Sequence, residues 1–198
     1  FWYGFLHKPG EILVVLGVDS EESLEGIIQG VQSVQSRAQE MYGITFSAGL
    51  GRFYPDFQSI NISYRETLLA LDFKLWAGKK VIIPYQDIEN TRAGHLVFHP
   101  DYDGFISLLR EGDQKETFRF INELFTSFKS LEYASKSFLH LTLLGMVNQI
   151  ILSLMEYNIR LEDFFGPDFD PLQEINALET LEDLEDWFKD ILIKSMRE

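Results

Sequence analysis

The chain has 198 residues, of which 45% are apolar and 24% charged, and it contains no cysteine. Such a composition suits a globular protein that buries its own core, and it excludes disulfides, thiolate metal sites and cysteine nucleophiles. The net charge of −14 argues against direct nucleic-acid binding, which needs a basic footprint, and it is uneven: residues 1–92 hold 8 basic and 11 acidic residues, residues 93–198 hold 9 and 20.

In chain order, Glu11–Val18 is a short apolar, β-branched run and predicts a strand buried on both faces. Lys8-Pro9-Gly10 before it is turn chemistry, which makes Phe1–Leu6 the preceding strand of a hairpin. Asp19 and Glu22 have capping-box spacing, and Leu24, Ile27, Ile28, Val31, Val34, Ala38 and Met41 follow at helical spacing. Gly43 is placed to end that helix. Ile44, Phe46, Ala48 and Leu50 alternate with small or polar residues, the pattern of a strand with one face in a core. After a loop over Arg52–Ser59, a helix is expected from Asn61 to Ala77, stopping at Gly78. Val81–Ile83 predicts a further strand ended by Pro84.

Past Asn90 the texture becomes helical. Arg92–Pro100 reads as a linker. Helices are expected over Asp103–Glu111, Asp113–Lys129, Tyr133–Tyr157, Pro171–Ala177 and Leu181–Met196. Asp113 with Glu116, and Ser135 or Ser137, are the candidate caps. No apolar run reaches the ~18 residues of a membrane span. The nearest, Leu141–Met155, is interrupted by Asn148, Gln149 and Ser153 and reads as a core helix. The N-terminus lacks the pattern of a signal peptide. With the missing cysteines this makes a cytoplasmic location the expectation. Phe1-Trp2-Tyr3 reads as a start in mid-fold, as in a piece of a longer protein.

The chemical motifs are sparse. There is no phosphate-binding loop of either glycine-rich type and no nucleophile elbow. His95 and His99 are four residues apart but beside Pro100, where no helix fixes their spacing, so no metal site is expected. Gly49-Leu50-Gly51 lies at a strand end and reads as close backbone packing. The acids Glu179, Glu182, Asp183, Glu185 and Asp186 read as the solvated face of the last helix, opposite Leu178, Leu181, Leu184 and Phe188. Phe118, Phe120, Phe125, Phe128, Phe164 and Phe165 read as core.

Three runs carry a resemblance: Ile44-Thr45-Phe46-Ser47-Ala48-Gly49-Leu50-Gly51, Ser63-Tyr64-Arg65-Glu66-Thr67-Leu68-Leu69-Ala70-Leu71, and Trp76-Ala77-Gly78-Lys79 before a strand. Together they resemble the last part of a GGDEF-type, nucleotide-cyclase-like domain. The Ser63–Leu71 form is similar to the degenerate version found between receiver and DNA-binding domains in AraC-type response regulators of the YesN kind. Glu162–Gly166 and Leu178–Leu184 resemble the stretch that leads into the DNA-binding module there. The resemblance implies an α/β (α+β) fold: an incomplete, degenerate GGDEF-like sheet with helices over 1–91, its opening β-α unit missing, then an acidic all-helical region over 92–198.

It also implies what the site has lost. Lys8-Pro9-Gly10-Glu11 falls on the signature hairpin of an active cyclase, with Lys8 and Pro9 in place of its glycines, Gly10 in place of its catalytic acid, and only Glu11 matching. A cyclase needs carboxylates to hold magnesium against a triphosphate and glycine for close backbone approach. The implied function is therefore non-catalytic: a regulatory, signal-transmitting module of a two-component transcription factor. Its partners would be the receiver and helix-turn-helix domains of the same polypeptide, with a homodimer as a candidate. No cofactor, membrane contact or nucleic-acid contact by this fragment is expected. The alternative is a sensor of a nucleotide or small molecule, for which Lys8, Glu11, Arg52, Tyr54 and Arg65 are the candidate lining.

Overall fold

The computed structural model describes residues 2–89, 100–130 and 135–195, apart from the side chains of Lys8 and Glu22. His95, His99 and the linker around them lie outside the described residues. The fold is mixed α and β, with small sheets followed by helices. The chain divides into two compact units, Phe1–Leu71 with Ile82–Asp87, and Asp72–Val81 with Ile88–Glu198. Residues 72–81, grouped with the α/β part on sequence, thus pack with the helical unit.

The first unit opens with an antiparallel hairpin of β1 (Trp2–Lys8) and β2 (Glu11–Leu16). Its turn is Pro9-Gly10. Gly10 has φ 80, which glycine adopts without strain and which a type II turn requires after proline. The expectation that the β2 run is buried on both faces is corrected. Exposure alternates along it, and Trp2, Leu6, Ile12, Val14 and Leu16 share one exposed apolar face. The physical reason is that, among the described residues, β2 pairs only with β1 and no layer covers that face.

α1 (Leu24–Tyr42) follows a single 3-10 turn over Glu21–Ser23. Ser20 precedes that turn, in place of the expected Asp19 cap, and makes no capping bond through its side chain. The helix ends as expected at Gly43, φ 66, whose N–H donates to the Gln39 carbonyl at 3.0 Å in the αL form of helix end. β3 is shorter than the alternation suggested, Ala48–Leu50, and pairs in parallel with β4 (Ile82–Pro84). Pro84 is thus the last residue of the strand. The long helix expected to Ala77 is two helices, α2 (Ile60–Asp72) and α3 (Lys74–Ala77), broken at Phe73. The short α4 (Tyr85–Ile88) follows β4.

Gly49 and Gly51 show why β3 lies so close to α2. A Cβ on Gly49 would meet the Thr67 carbonyl and the Leu71 nitrogen, the latter at 2.8 Å, and one on Gly51 would meet Ser63. Both neighbours are helix backbone and cannot swing aside. Gly49→Ala should therefore destabilise the first unit by about 1–3 kcal/mol, as overpacking does. Chemical denaturation checks this against Gly30→Ala, where a Cβ meets nothing within 4 Å.

The second unit is built on α5 (Tyr102–Glu111), α6 (Gln114–Ser130), α7 (Lys136–Glu156), α8 (Leu161–Phe165), α9 (Pro171–Ala177) and α10 (Leu181–Ser195). The caps are local chemistry. Asp113 accepts from the Glu116 N–H, Ser135 from the Phe138 N–H, and Asp170 from the Leu172 and Gln173 N–H groups. Ser137 lies inside α7 and is not a cap. The core joins Phe105, Phe125, Phe128, Leu143, Met146, Leu184 and Phe188. Phe105 stacks on Phe120 at 5.6 Å and meets Phe188 at 6.1 Å. α7 is long and apolar enough to cross a membrane by length and composition, yet it is a core element here: His140 and seven further residues along it are buried.

His140 lies in that core with its Nε2 atom buried and unpartnered. Burial pushes its pKa down, the Lys136 charge adds to this, and the Asn176 side chain offsets part of it. A depressed histidine favours the fold while neutral. Its contribution is full above the ordinary value near 6.5 and is lost as pH falls below it. Urea midpoints at pH 8.0 and 5.5 should therefore differ more for the natural chain than for His140→Gln.

Candidate functional site

Of the five candidate lining residues, the structure brings two together. α2 turns Ser63, Glu66 and Thr67 to one face, since residues three and four apart are neighbours on a helix. The loop after β3 lies along that face and is stitched to it. The Gly51 N–H donates to Thr67 Oγ1 at 3.0 Å, and Ser63 Oγ donates to the Arg52 carbonyl at 2.9 Å. The Arg52 N–H donates to Glu66 Oε2 at 2.9 Å.

Glu66 is the centre. It is 4% exposed, and its Oε1 accepts from Arg52 Nε at 2.8 Å, from the Arg52 terminal nitrogen, and from the Tyr54 hydroxyl at 2.7 Å. The guanidinium carbon lies 5.2 Å from the centre of the Tyr85 ring and 5.9 Å from that of Tyr54, within cation–π range. Burial alone would raise the Glu66 pKa. The hydrogen bonds from Arg52 and Tyr54 outweigh it and hold the carboxyl below its usual range. The same bond to Glu66, then burial, pushes the Tyr54 hydroxyl up. The cluster is a set of opposite charges and donors turned toward one another. Its chemistry is that of a latch between loop and helix.

The remaining candidates do not join it. Arg65 is exposed on α2. Lys8 and Glu11 are paired in the hairpin register, Glu11 is half-buried, and the Lys8 side chain lies outside what the structure describes. Sequence reasoning missed Glu66 as the hub and Tyr85 as the ring over Arg52. The signal for Glu66 was present: an acid three residues after Ser63 and one before Thr67, on a helix that follows an arginine-bearing loop. Tyr85 left no such signal, because β4 brings it in from 33 residues beyond Arg52.

A groove of about 630 Å³ runs along α1, lined by Leu24, Ile28, Gln29 and Gln32 with Glu21 and Glu25. It holds none of the five candidates, and its two acids disfavour a phosphate. Among the described residues no group of three or more His, Asp or Glu side chains is placed to hold a metal ion. The acids of α10 are not all a solvated face: Glu185 binds both Lys129, at 3.0 Å, and Lys189, at 2.6 Å, and Asp183 binds Lys79 at 2.9 Å.

Residues 5–73 match the family model of the GGDEF-like domain. The matched stretch runs from Phe5 in β1 through β2, α1, β3 and α2, and includes the Glu66 latch except Tyr85. No curated protein and no solved structure matches the chain.

Proposed function

We propose that the chain is a non-catalytic regulatory module that transmits signal state within an AraC-type response regulator, between a receiver and a DNA-binding domain. The observation that carries the non-catalytic part is the hairpin turn. Where a cyclase of this family places glycines and an acid, this chain has Lys8-Pro9-Gly10 before Glu11. A second observation supports it: Arg52 and Tyr54, the nearest equivalents of a binding pair, are engaged by Glu66. The acidity of the helical region suits a segment that must not compete with a neighbouring module for DNA. Incubation with GTP and Mg²⁺ or Mn²⁺, followed by chromatography, tests the reading. It expects no cyclic dinucleotide, and product above the level of a Glu11→Ala control would overturn it.

The groove along α1 favours one second reading, a sensor of a small neutral or cationic molecule. Calorimetry with GTP, cyclic di-GMP and common sugars separates the two. Heat from a sugar, abolished by Gln32→Ala, would support the sensor. No heat from any of them would leave the transmission reading standing alone.

A further inference from the structure

α7 is apolar around its whole circumference, the pattern of a helix covered on every side. Its inner side is covered: Leu139, Leu143, Met146, Val147, Ile150 and Leu154 lie in the core of the helical unit. Its outer side is bare. Leu141 is 69%, Leu152 46% and Met155 57% exposed, and Asn148 is exposed between them. Leu144 and Ile151 are half-buried on the flank.

The outer residues have an order of their own. Leu141, Leu144, Asn148, Ile151 and Met155 follow one another by alternating steps of three and four, the seam of a helix pair. A lone asparagine in such a seam costs stability and fixes register by meeting its own copy. Two such strips laid antiparallel about a two-fold axis at Asn148 set Leu141 against Met155, Leu144 against Leu152 and Asn148 against Asn148. Apolar residues then meet apolar ones, and the two amides exchange hydrogen bonds. A parallel pair would set Glu156 beside its own copy and align the two helix dipoles, and the antiparallel pair does neither.

Charge points the same way. The chain carries −14, so two copies repel over most of their surface, yet no aspartate, glutamate, lysine or arginine stands between Lys136 and Glu156. A strongly charged partner would find nothing on this strip to attract it. The strip from Leu141 to Met155 is about 21 Å long and about 10 Å wide. That is small against the ~800 Å² per partner of a standard interface, so the association is weak and reversible. We propose that the outer strip of α7 is an interface with a second copy of this chain, closed antiparallel about Asn148. The interface rests on α7 alone and stands whether or not the regulatory reading holds.

Sedimentation equilibrium of the full chain tests it, with a dissociation constant of roughly 10–100 μM expected for so small a contact. Leu141→Glu changes an exposed position, so circular dichroism should stay that of the natural chain, while a charge facing apolar residues should weaken the dimer about tenfold or more. Val34→Glu, on α1 and 57% exposed, should leave the dimer as it is. The chain has no cysteine, so single thiols can be placed at will. A mixture of Leu141→Cys and Met155→Cys chains should cross-link through a short bismaleimide faster than either alone, because like positions lie about 21 Å apart along the axis of an antiparallel pair. A chain that stays monomeric, a dimer indifferent to Leu141→Glu, or one equally weakened by Val34→Glu overturns the interface. So does Leu141→Cys cross-linking to itself as fast as to Met155→Cys. A monomeric chain that instead co-sediments with phosphatidylcholine–phosphatidylglycerol vesicles, and loses this with Leu141→Glu, would make the strip a lipid-facing surface and overturn the proposal as well.

Discussion

Glu66→Gln should cost about 2–4 kcal/mol of stability. Removing one partner of a buried ion pair typically costs about 3–5 kcal/mol, because the other charge stays behind uncompensated. The figure is discounted here because the Arg52 side chain is 34% exposed and water screens part of its charge. The loss exceeds that of a surface pair because one carboxylate accepts from the Arg52 backbone, its guanidinium and the Tyr54 hydroxyl together. The sign with pH follows. Glu66 is held below its ordinary value, so it stabilises the fold fully above about pH 4.5 and less as pH falls through its folded pKa. Denaturant titration of the natural chain between pH 6 and 3 should show that loss, and Glu66→Gln should show less of it. Equal slopes would mean the latch contributes nothing. The loss tied to His140 sets in as pH falls below about 6.5 and that tied to Glu66 below about 4.5, and His140→Gln in the same titration separates the two.

Phe105→Ala should cost about 3–5 kcal/mol, the range for truncating a buried aromatic ring. Phe105 is 0% exposed and lies between Phe120 and Phe188, so its loss opens a cavity where α5, α6 and α10 meet. Three helices would have to shift to close it. Native domains hold only about 5–15 kcal/mol in all, so the substitution should bring the helical unit near its unfolding threshold. Near-ultraviolet circular dichroism with urea checks this. A midpoint within experimental error of the natural chain would show that the ring is not the keystone of this core. Phe105→Leu should recover about half the loss.

The sequence was most informative where local chemistry decides the outcome. Pro9-Gly10, Gly43, Asp113 and Ser135 each act within a few residues of themselves, and each does what its side chain or backbone freedom dictates. The glycines at 49 and 51 were legible as close packing because a strand end without side chains has few other uses. Where an element's environment decides, the sequence was silent. Ile12, Val14 and Leu16 have the composition of a buried strand, but burial depends on what covers β2, and alternation of exposure came from its place in a two-stranded hairpin. The break at Phe73 has the same origin. Residues 60–77 are periodic throughout, and it is the docking of Leu75 and Trp76 that ends α2 early. The site divides likewise. Arg52 and Tyr54 were legible as a polar pair two residues apart, while Tyr85 over the guanidinium is a product of parallel strand pairing.

The measurement that bears most directly on the central claim is to read the source gene outward from both ends of this chain. The account predicts a receiver domain upstream, with its phosphorylatable acid, and a basic pair of helix-turn-helix motifs downstream. A reading frame that opens within a strand or two of Phe1 and stops after Glu198 would contradict it, since no receiver or DNA-binding module would remain for this chain to connect.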